Sequence, residues 1–484
     1  MEVLKNIEPK EVFSFFEIIS NIPRGSGNEK EISNYIMSIA IKNNLEVYQD
    51  EFLNVIVKKN GTDGYEKSKP VVFQGHMDIV CEKNFDIDID FLTDSIKLLV
   101  KEDMISADGT TLGADNGIAV AYMLALLVSR NIPHPPIEAI FTADEEAGMT
   151  GAKNLDYSLI NGRWLINLDS EEEGHILTSC AGGLKTDITL PITWFKPKDE
   201  FANCKIVIKG LKGGHSGADI HFQRANANKL MGRLLNTLLA ENLVWINSIN
   251  GGHMDNAIPR ECQVILCFKP ENIRIVKGFC ETFENMYNKE YENVDNEIKV
   301  QVTDEPNCID RVFSDITATK VVSILMLIPD GVRTVSMDIK GLVESSNNLG
   351  VVQTDEKNVV FACAIRSALA SRKEIINEEL KAVANICGAK YSGTKEYPAW
   401  EYKKKSPLRD VLVETYKQMT GQEPKIDAIH AGLECGLFDK NLKDCDMVSI
   451  GPDMFDVHTP DERLSISSVG RMWEYIKEIL KNLK

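Results

Sequence analysis

Between Glu29 and Asn43 the apolar positions Ile32, Tyr35, Ile36, Ile39 and Ala40 recur three and four apart, which predicts a helix with one buried face. The opening stretch MEVLKNIEPKEVFSFFEIISNIPRGSG is amphipathic in the same manner. Shorter apolar runs then follow at LNVIVKK from Leu53, KPVVFQGH from Lys69, Ile137–Phe141 and Trp164–Leu168, and each predicts a strand. Between the second and third lies NGIAVAYMLALLVSR from Asn116, a helical pattern closed by the prolines of HPPIEAIF. Strand and helix therefore alternate, which predicts an α/β fold with a largely parallel sheet.

The pattern changes after CAGGLK (Cys180–Lys185). TDITLPITWF and NCKIVIKG alternate apolar and polar residues, as half-buried strands do. ANANKLMGRLLNTLLAENL from Ala225 predicts a helix, ECQVILCFKP a strand, and Glu271 to about Asn293 a long charged helix. NEIKVQVTDE and VVFACAIRSA (Val359–Ala368) predict strands, the second followed by the helix RKEIINEELKAVANIC. Near LVETYKQMTG the first pattern returns, and DMVSIGP (Asp446–Pro452) is one more apolar strand. The simplest architecture is a catalytic domain with a mixed, largely parallel sheet flanked by helices. It is built from 1–186 and 401–484 and interrupted by an inserted α+β domain at 187–400.

A chain of 484 residues exceeds the usual size of one domain, in keeping with that division. Hydrophobic content of 43% and charged content of 26% are ordinary for a soluble protein. A net charge of -18 argues against nucleic acid and against an anionic membrane surface, both of which need a basic face. The 11 cysteines include no CxxC pair and read mostly as small buried hydrophobes in a reducing compartment. The N-terminal stretch lacks the apolar core of a signal peptide, and the longest apolar run, IAVAYMLALLV from Ile118, is too short to span a bilayer. A cytoplasmic location is expected.

The ligand-type residues fall at particular places on this map. His76 and Asp78 follow a strand and share a side of the extended chain. Asp115 precedes a helix, where the dipole favours an anion. Glu145 and Glu146 follow a strand, as does Asp169, and His458 follows a strand and a Gly-Pro turn. In an open α/β sheet the carboxyl ends of strands form the ligand crevice. Imidazoles with carboxylates suit zinc, cobalt or manganese. Two such ions about 3.5–4 Å apart, joined by one carboxylate, are the usual arrangement for hydrolysis with an activated water. One of the paired glutamates can then bind metal while its neighbour takes a proton from water. Taken singly, HxD reads equally as a surface loop, DEE as a solvated turn, Asp115 as a helix cap and His458 as a loop histidine. Their joint placement on strand ends favours the site.

The motifs QGHMD, GADNGIAVA, TADEEAGMTGA, NLDSEEEG, LKGGHSGADIH, NAIPRE, ESSNNLG, HAGLECG and VHTPDERLSI occur in the order seen in Xaa-His dipeptidases. The chain resembles that group, also called aminoacyl-histidine dipeptidases, peptidase D or carnosinase-like enzymes, along nearly its whole length. The group belongs to the co-catalytic di-zinc metallopeptidases, with aminoacylases and bacterial dipeptidases. The resemblance implies two divalent metal ions, zinc first, with cobalt or manganese as alternatives. It implies that His76 binds one ion with Asp78 orienting its ring, that Asp115 bridges both, and that Glu145 is the general base. Glu146 would complete the site of His458, and Asp169 that of His76.

The inserted domain would act as a lid. The resemblance implies that His215 of GGHSG stabilises the oxyanion, and that Asn256 and Arg366 hold the substrate, Arg366 at its C-terminal carboxylate. A phosphate loop at GGHSG is excluded, because no Gly-Lys-Ser/Thr follows. His430 and Gly432 of HAGLECG would line the same pocket, with a structural histidine the alternative for His430. Thr459 replaces the usual Ser after the last ligand, and TA precedes DEE where a Met-containing run is more typical. Neither change touches a ligand. The expected substrate is a small unblocked dipeptide, including Xaa-His. An N-acyl amino acid deacylase shares the chemistry. A metal-poor scaffold protein would show a broken ligand set, and a metal-dependent phosphoesterase would leave His215 and Arg366 unexplained. A homodimer through the lid is the expected assembly; some similar enzymes are monomers with a larger lid.

Overall fold

Val12, Phe13, Phe16 and Ile19 form the buried face of a helix over Lys10–Ser20, which packs on a second helix at Ala114–Val128. The computed structural model describes residues 3–196, 201–305 and 309–484; Met1 and Glu2 of the N-terminal amphipathic stretch lie outside them, as does Cys308. Two units are distinguished. The first gathers the chain up to Ser179 with Tyr402–Ala428 and Leu433–Lys484; the second comprises Cys180–Glu401 and Ile429–Gly432. The short return at Ile429–Gly432 puts His430 and Gly432 with the second unit, although they lie in the 401–484 range.

The first unit is built on a sheet in the order Glu46–Gln49, Val55–Lys59, Ile137–Thr142, Val71–His76, Trp164–Asn167, Asp446–Ser449, His175–Cys180, Lys425–Ile429. The four strands from Ile137–Thr142 to Asp446–Ser449 are mutually parallel, while Val55–Lys59 pairs antiparallel with both its neighbours and His175–Cys180 with Asp446–Ser449. Val71–His76 and Ile137–Thr142 are buried at every position, as expected for strands covered on both faces. Helix Ala114–Val128 is buried from Asn116 to Leu127, which explains its continuous apolar run. A smaller antiparallel sheet joins the hairpin Leu98–Lys101/Met104–Ala107 to Arg463–Ser465 and Met454–Phe455.

The second unit holds a larger antiparallel sheet whose core is shared with helices Ala227–Ala240, Ile273–Glu290, Asp315–Leu327 and Ala370–Cys387. Helix Asp315–Leu327 and the long strand Val343–Thr354 escape the hydropathy pattern. That strand reads VESSNNLGVVQT, yet Ser345, Ser346, Asn347 and Asn348 are all buried. Their amide donors are satisfied, with the Asn348 amide donating to the carbonyls of Asp255 and Ala257 and that of Asn347 to Pro329. Among the described cysteines all are free, and only Cys81 is exposed. No helix of the described residues is long and apolar enough to cross a membrane.

Candidate active site

His76 ends its strand. The preceding Gly75 is dictated by space, since a Cβ there would lie 2.4 Å from Asn116 Oδ1, and that same oxygen accepts the His76 backbone N–H. The ring Nδ1 lies 3.0 Å from the Asp78 carbonyl and 3.5 Å from its Oδ1, so Nδ1 is an N–H donor, and Nε2 offers a lone pair once the ring is neutral. Nε2 faces Asp115 Oδ1 at 3.2 Å and Asp169 Oδ1 at 3.4 Å. Burial opposes a charged ring here, but the Asp169, Asp115 and Asp78 carboxylates prevail and raise the His76 pKa well above the ordinary value.

Asp78 does more than orient that ring. Its two oxygens accept the backbone N–H groups of Glu145 (3.0 Å) and Glu146 (3.1 Å), and Ser26 donates to it at 2.8 Å. The glutamate turn is thereby tied to the histidine strand. Asp144, which opens the turn, has φ 56°, and His458 has φ 63°; both are strained backbone conformations of the kind found where a site over-determines geometry.

Asp115 lies in the first turn of its helix, two residues past the N-cap Gly113. Its carboxylate stands between two imidazoles, with Oδ1 toward His76 and Oδ2 3.1 Å from His458 Nε2. The same His458 nitrogen is 2.9 Å from Glu146 Oε1. Hydrogen bonds to Asp115 and Glu146 push His458 up to about 11, and those from the two histidines hold Asp115 far below the carboxylate range despite its burial. Two ligand groups share Asp115: His76, Asp115 and Asp169, and Asp115, Glu146 and His458. Within each, one ligand atom per residue lies within 4.8 Å of the others. The donors are all imidazole nitrogen or carboxylate oxygen, which fits zinc, cobalt or manganese. A shared carboxylate flanked by two histidines fits two cations better than one.

Glu145 is set apart. It groups with His76 and Glu146 but takes no place in the two groups that share Asp115. Burial raises its pKa well above the usual range, and Asp169, Glu434 and Glu146 reinforce the rise against the pull of His76.

Glu434 was not singled out from the sequence, although it lies in HAGLECG. It is 0% exposed. Its Oε2 accepts from Gln74 Nε2 and Thr142 Oγ1, each at 2.6 Å, and Gln74 Oε1 accepts in turn from Asn167 Nδ2 at 2.7 Å. This network ties together the strands that deliver His76, Glu145 and Asp169. Burial pushes the Glu434 carboxyl up to about 8, so it is neutral at pH 7. An unfolded glutamate ionises near 4.5, so between about 4.5 and 8 the folded state holds a proton that the unfolded state has released, and stability falls as pH rises. In metal-free protein, Glu434→Gln is expected to flatten that decline, read as unfolding free energy at pH 6 and pH 9. Glu434→Leu removes the short bonds from Gln74 Nε2 and Thr142 Oγ1, leaving only the longer ones from Gln74 Nε2 to Thr142 Oγ1 at 3.1 Å and from Thr142 Oγ1 to the Gly75 carbonyl at 3.5 Å, and is expected to cost about 1–3 kcal/mol in all. Glu171 was also missed. Desolvation, with the charges of Asp115 and Asp169, pushes it up to about 7.

In the second unit, His215 pairs through its backbone with Ala257. The Ala218 N–H donates to His215 Nδ1 at 3.1 Å, so the neutral ring carries its proton on Nε2. That nitrogen is 3.5 Å from Arg366 Nη2, while Arg366 Nη1 donates to the Tyr397 hydroxyl at 3.0 Å. Two donors facing one another suit a shared anion. Burial and the Arg366 charge both lower the His215 pKa. His430 is 8% exposed, its Nε2 2.7 Å from Ser346 Oγ and its Nδ1 without a partner; burial, then Arg366, bring it down to about 3. It is a neutral ring beside the arginine, whose strand pairs Arg366 with Ser346. Asn256 enters through its backbone carbonyl, which accepts the Ser216 N–H at 2.8 Å. Gly432 follows His430 on the Ile429–Gly432 segment. Of the remaining histidines, His134 is fully buried against the Pro135 carbonyl, and His175 pairs with Glu172.

Residues 72–482 match peptidase family M20/M25/M40. The chain belongs to this family. Over 483 residues it is 37% identical to the cytosol non-specific dipeptidase of Escherichia coli K12, a match that covers 100% of this chain and 99% of that one. Its fold superimposes on the crystal structure of aminoacylhistidine dipeptidase from Vibrio alginolyticus with a TM-score of 0.92 at 37% identity, covering 99% and 97% of the two chains. A Staphylococcus aureus tripeptidase, at TM-score 0.57 and 16% identity over 99% of each chain, shares the fold alone. This M20 chain is therefore a hydrolase, and peptidases of the family are metal-dependent.

Proposed function

We propose that this M20 peptidase hydrolyses unblocked dipeptides, Xaa-His among them, with two divalent metal ions, zinc first. The observation that carries the reading is Asp115 set between His76 and His458, with Asp169 and Glu146 completing the two groups and Glu145 left over. His76, Asp115, Asp169, Glu146 and His458 would hold two such ions, which would supply Lewis acidity and a water acidified to near neutral pH. Glu145 would take a proton at its carboxylate from the attacking water as its oxygen bonds to the carbonyl carbon, and return it to the leaving amine as the peptide C–N bond breaks. The names of the Escherichia coli and Vibrio relatives support a dipeptide substrate.

The test is hydrolysis of a dipeptide panel, Xaa-His included, against N-acyl amino acids, by protein stripped of metal and then restored with zinc, manganese or cobalt. Metal-dependent cleavage of free dipeptides supports the reading. Cleavage confined to acyl amino acids makes the protein a deacylase, and failure to bind metal removes the proposal.

The Arg366 cluster is the part of this reading that recognises carboxylate. Losing a hydrogen bond to a charged group costs about 1.5–3 kcal/mol, so Arg366→Ala is expected to raise KM about 10–100-fold for free dipeptides. Dipeptide amides, which lack that carboxylate, should show a much smaller rise. Lysine should rescue poorly, because it lacks the planar fork. A homodimer through the second unit and a cytoplasmic setting, as in the name of the Escherichia coli relative, complete the proposal.

A further inference from the structure

Asp115 reaches both histidines only if the turn before its helix holds one conformation. Gly113 there is left-handed, with φ 70°, and Asp115 itself departs from helical geometry with φ -81° and ψ 108°. Helix propensity does not favour this path, so other groups must hold it.

Two buried ions do so. Glu462 is 2% exposed, and its carboxylate accepts four successive backbone N–H groups: Leu112 at 2.8 Å and Gly113 at 3.0 Å on Oε2, Ala114 at 2.8 Å and Asp115 at 3.3 Å on Oε1. These include orphan donors of the helix start, and a carboxylate at that end also meets the positive end of the helix dipole. With Glu462 on the N–H groups, the Asp115 side chain is spared for the imidazoles. Glu462 is in turn fixed by the Arg463–Ser465 strand, which pairs with Met104–Ala107.

Arg24 takes the carbonyls of the same region. It is 1% exposed, with Nη2 donating to Gly113 O at 2.7 Å and Nη1 to Met77 O at 2.9 Å. One guanidinium thus grips the turn before Asp115 and the residue after His76. The packing leaves no slack, since a Cβ on Gly117 would lie 2.4 Å from Arg24 Nη2. Burial pulls Arg24 down to about 10, so it stays charged at neutral pH opposite Glu462 and Asp78.

We propose that Glu462 and Arg24 are positioning residues that set the Asp115 carboxylate between His76 and His458 and thereby fix the affinity of the site for its metal pair. The inference rests on the proposed function only in taking Asp115 as a metal ligand. An outer partner of this kind sets metal affinity by about 10–100-fold.

The experiment is zinc titration of metal-free protein against a chromophoric chelator, for the wild type, Glu462→Gln, Glu462→Asp and Arg24→Lys. Folding is checked by near-UV circular dichroism and by melting without metal. Glutamine presents one acceptor oxygen, and its NH2 meets two backbone donors. It is expected to bind at least one zinc about 10–100-fold more weakly while folded, with lost turnover partly recovered at high zinc. Glu462→Asp keeps the charge and should retain part of the affinity. If Glu462→Gln does not fold, Arg24→Lys decides, because it keeps the buried charge but not the two-carbonyl grip. A folded variant that melts lower yet binds two zinc ions with wild-type affinity assigns these residues to stability alone and overturns the proposal. A wild-type protein that binds no zinc overturns the proposed function instead.

Discussion

Glu145→Gln is expected to lower kcat for dipeptide hydrolysis by about 10²–10⁴-fold, the range for loss of a general base, with KM and bound metal little changed. The amide keeps the size of the side chain and the backbone bond to Asp78, so the turn should stay in place. Only the proton-accepting oxygen pair is lost. Because burial and the neighbouring carboxylates hold this group well above the ordinary pKa, removing it also takes one proton-binding group out of a crowded site. The metal-free variant should therefore be no less stable than the wild type. Steady-state kinetics paired with elemental analysis of the same sample checks both statements. A variant that loses metal together with activity would make Glu145 a ligand and shift the base elsewhere.

Asp115→Ala is expected to abolish tight binding of the metal pair and, with it, turnover. No other residue belongs to both groups, so its loss opens both at once. Binding to the native state alone stabilises a protein by about 2.7 kcal/mol when ligand stands at a hundred times its Kd. Wild-type protein should gain that amount on zinc addition, and Asp115→Ala should gain almost none; chemical denaturation with and without zinc measures the difference. The pH dependence has a definite sign. A metal requires neutral imidazoles, while His458 is pushed up to about 11 and His76 well above its usual value by the carboxylates around them. Zinc must therefore displace protons at neutral pH, and its apparent affinity should rise with pH below about 11. Calorimetry in two buffers of different ionisation enthalpy would count the protons released. Affinity that is flat with pH would show that the histidines bind metal without losing a proton, contrary to their surroundings.

The acids and imidazoles of the first unit were visible in the sequence for a physical reason. A buried parallel strand is a short apolar run, and the polar residue that follows it stands at the carboxyl end of the sheet. His76, Glu145 and Asp169 each follow such a run, so hydropathy alone located them. The strand Val343–Thr354 gave no such signal. Its serines and asparagines are buried, and their partners, Asp255, Ala257 and Pro329, lie far away in sequence. The same is true of Ser346 against His430 and Tyr397 against Arg366.

By itself the sequence determined the two kinds of architecture along the chain, the chemical type of each candidate ligand and the family resemblance. Tertiary structure decided which carboxylates face imidazoles and which hold the backbone. Asp115 and Glu462 are both acids near one helix start, yet one points to two imidazoles and the other to four amide N–H groups. Glu434 is a neutral acid within a polar network for no reason local to its segment. The physical reason is common to all three. A buried charge or polar group is tolerated only with partners, and partners hundreds of residues apart are brought together only by the folded chain.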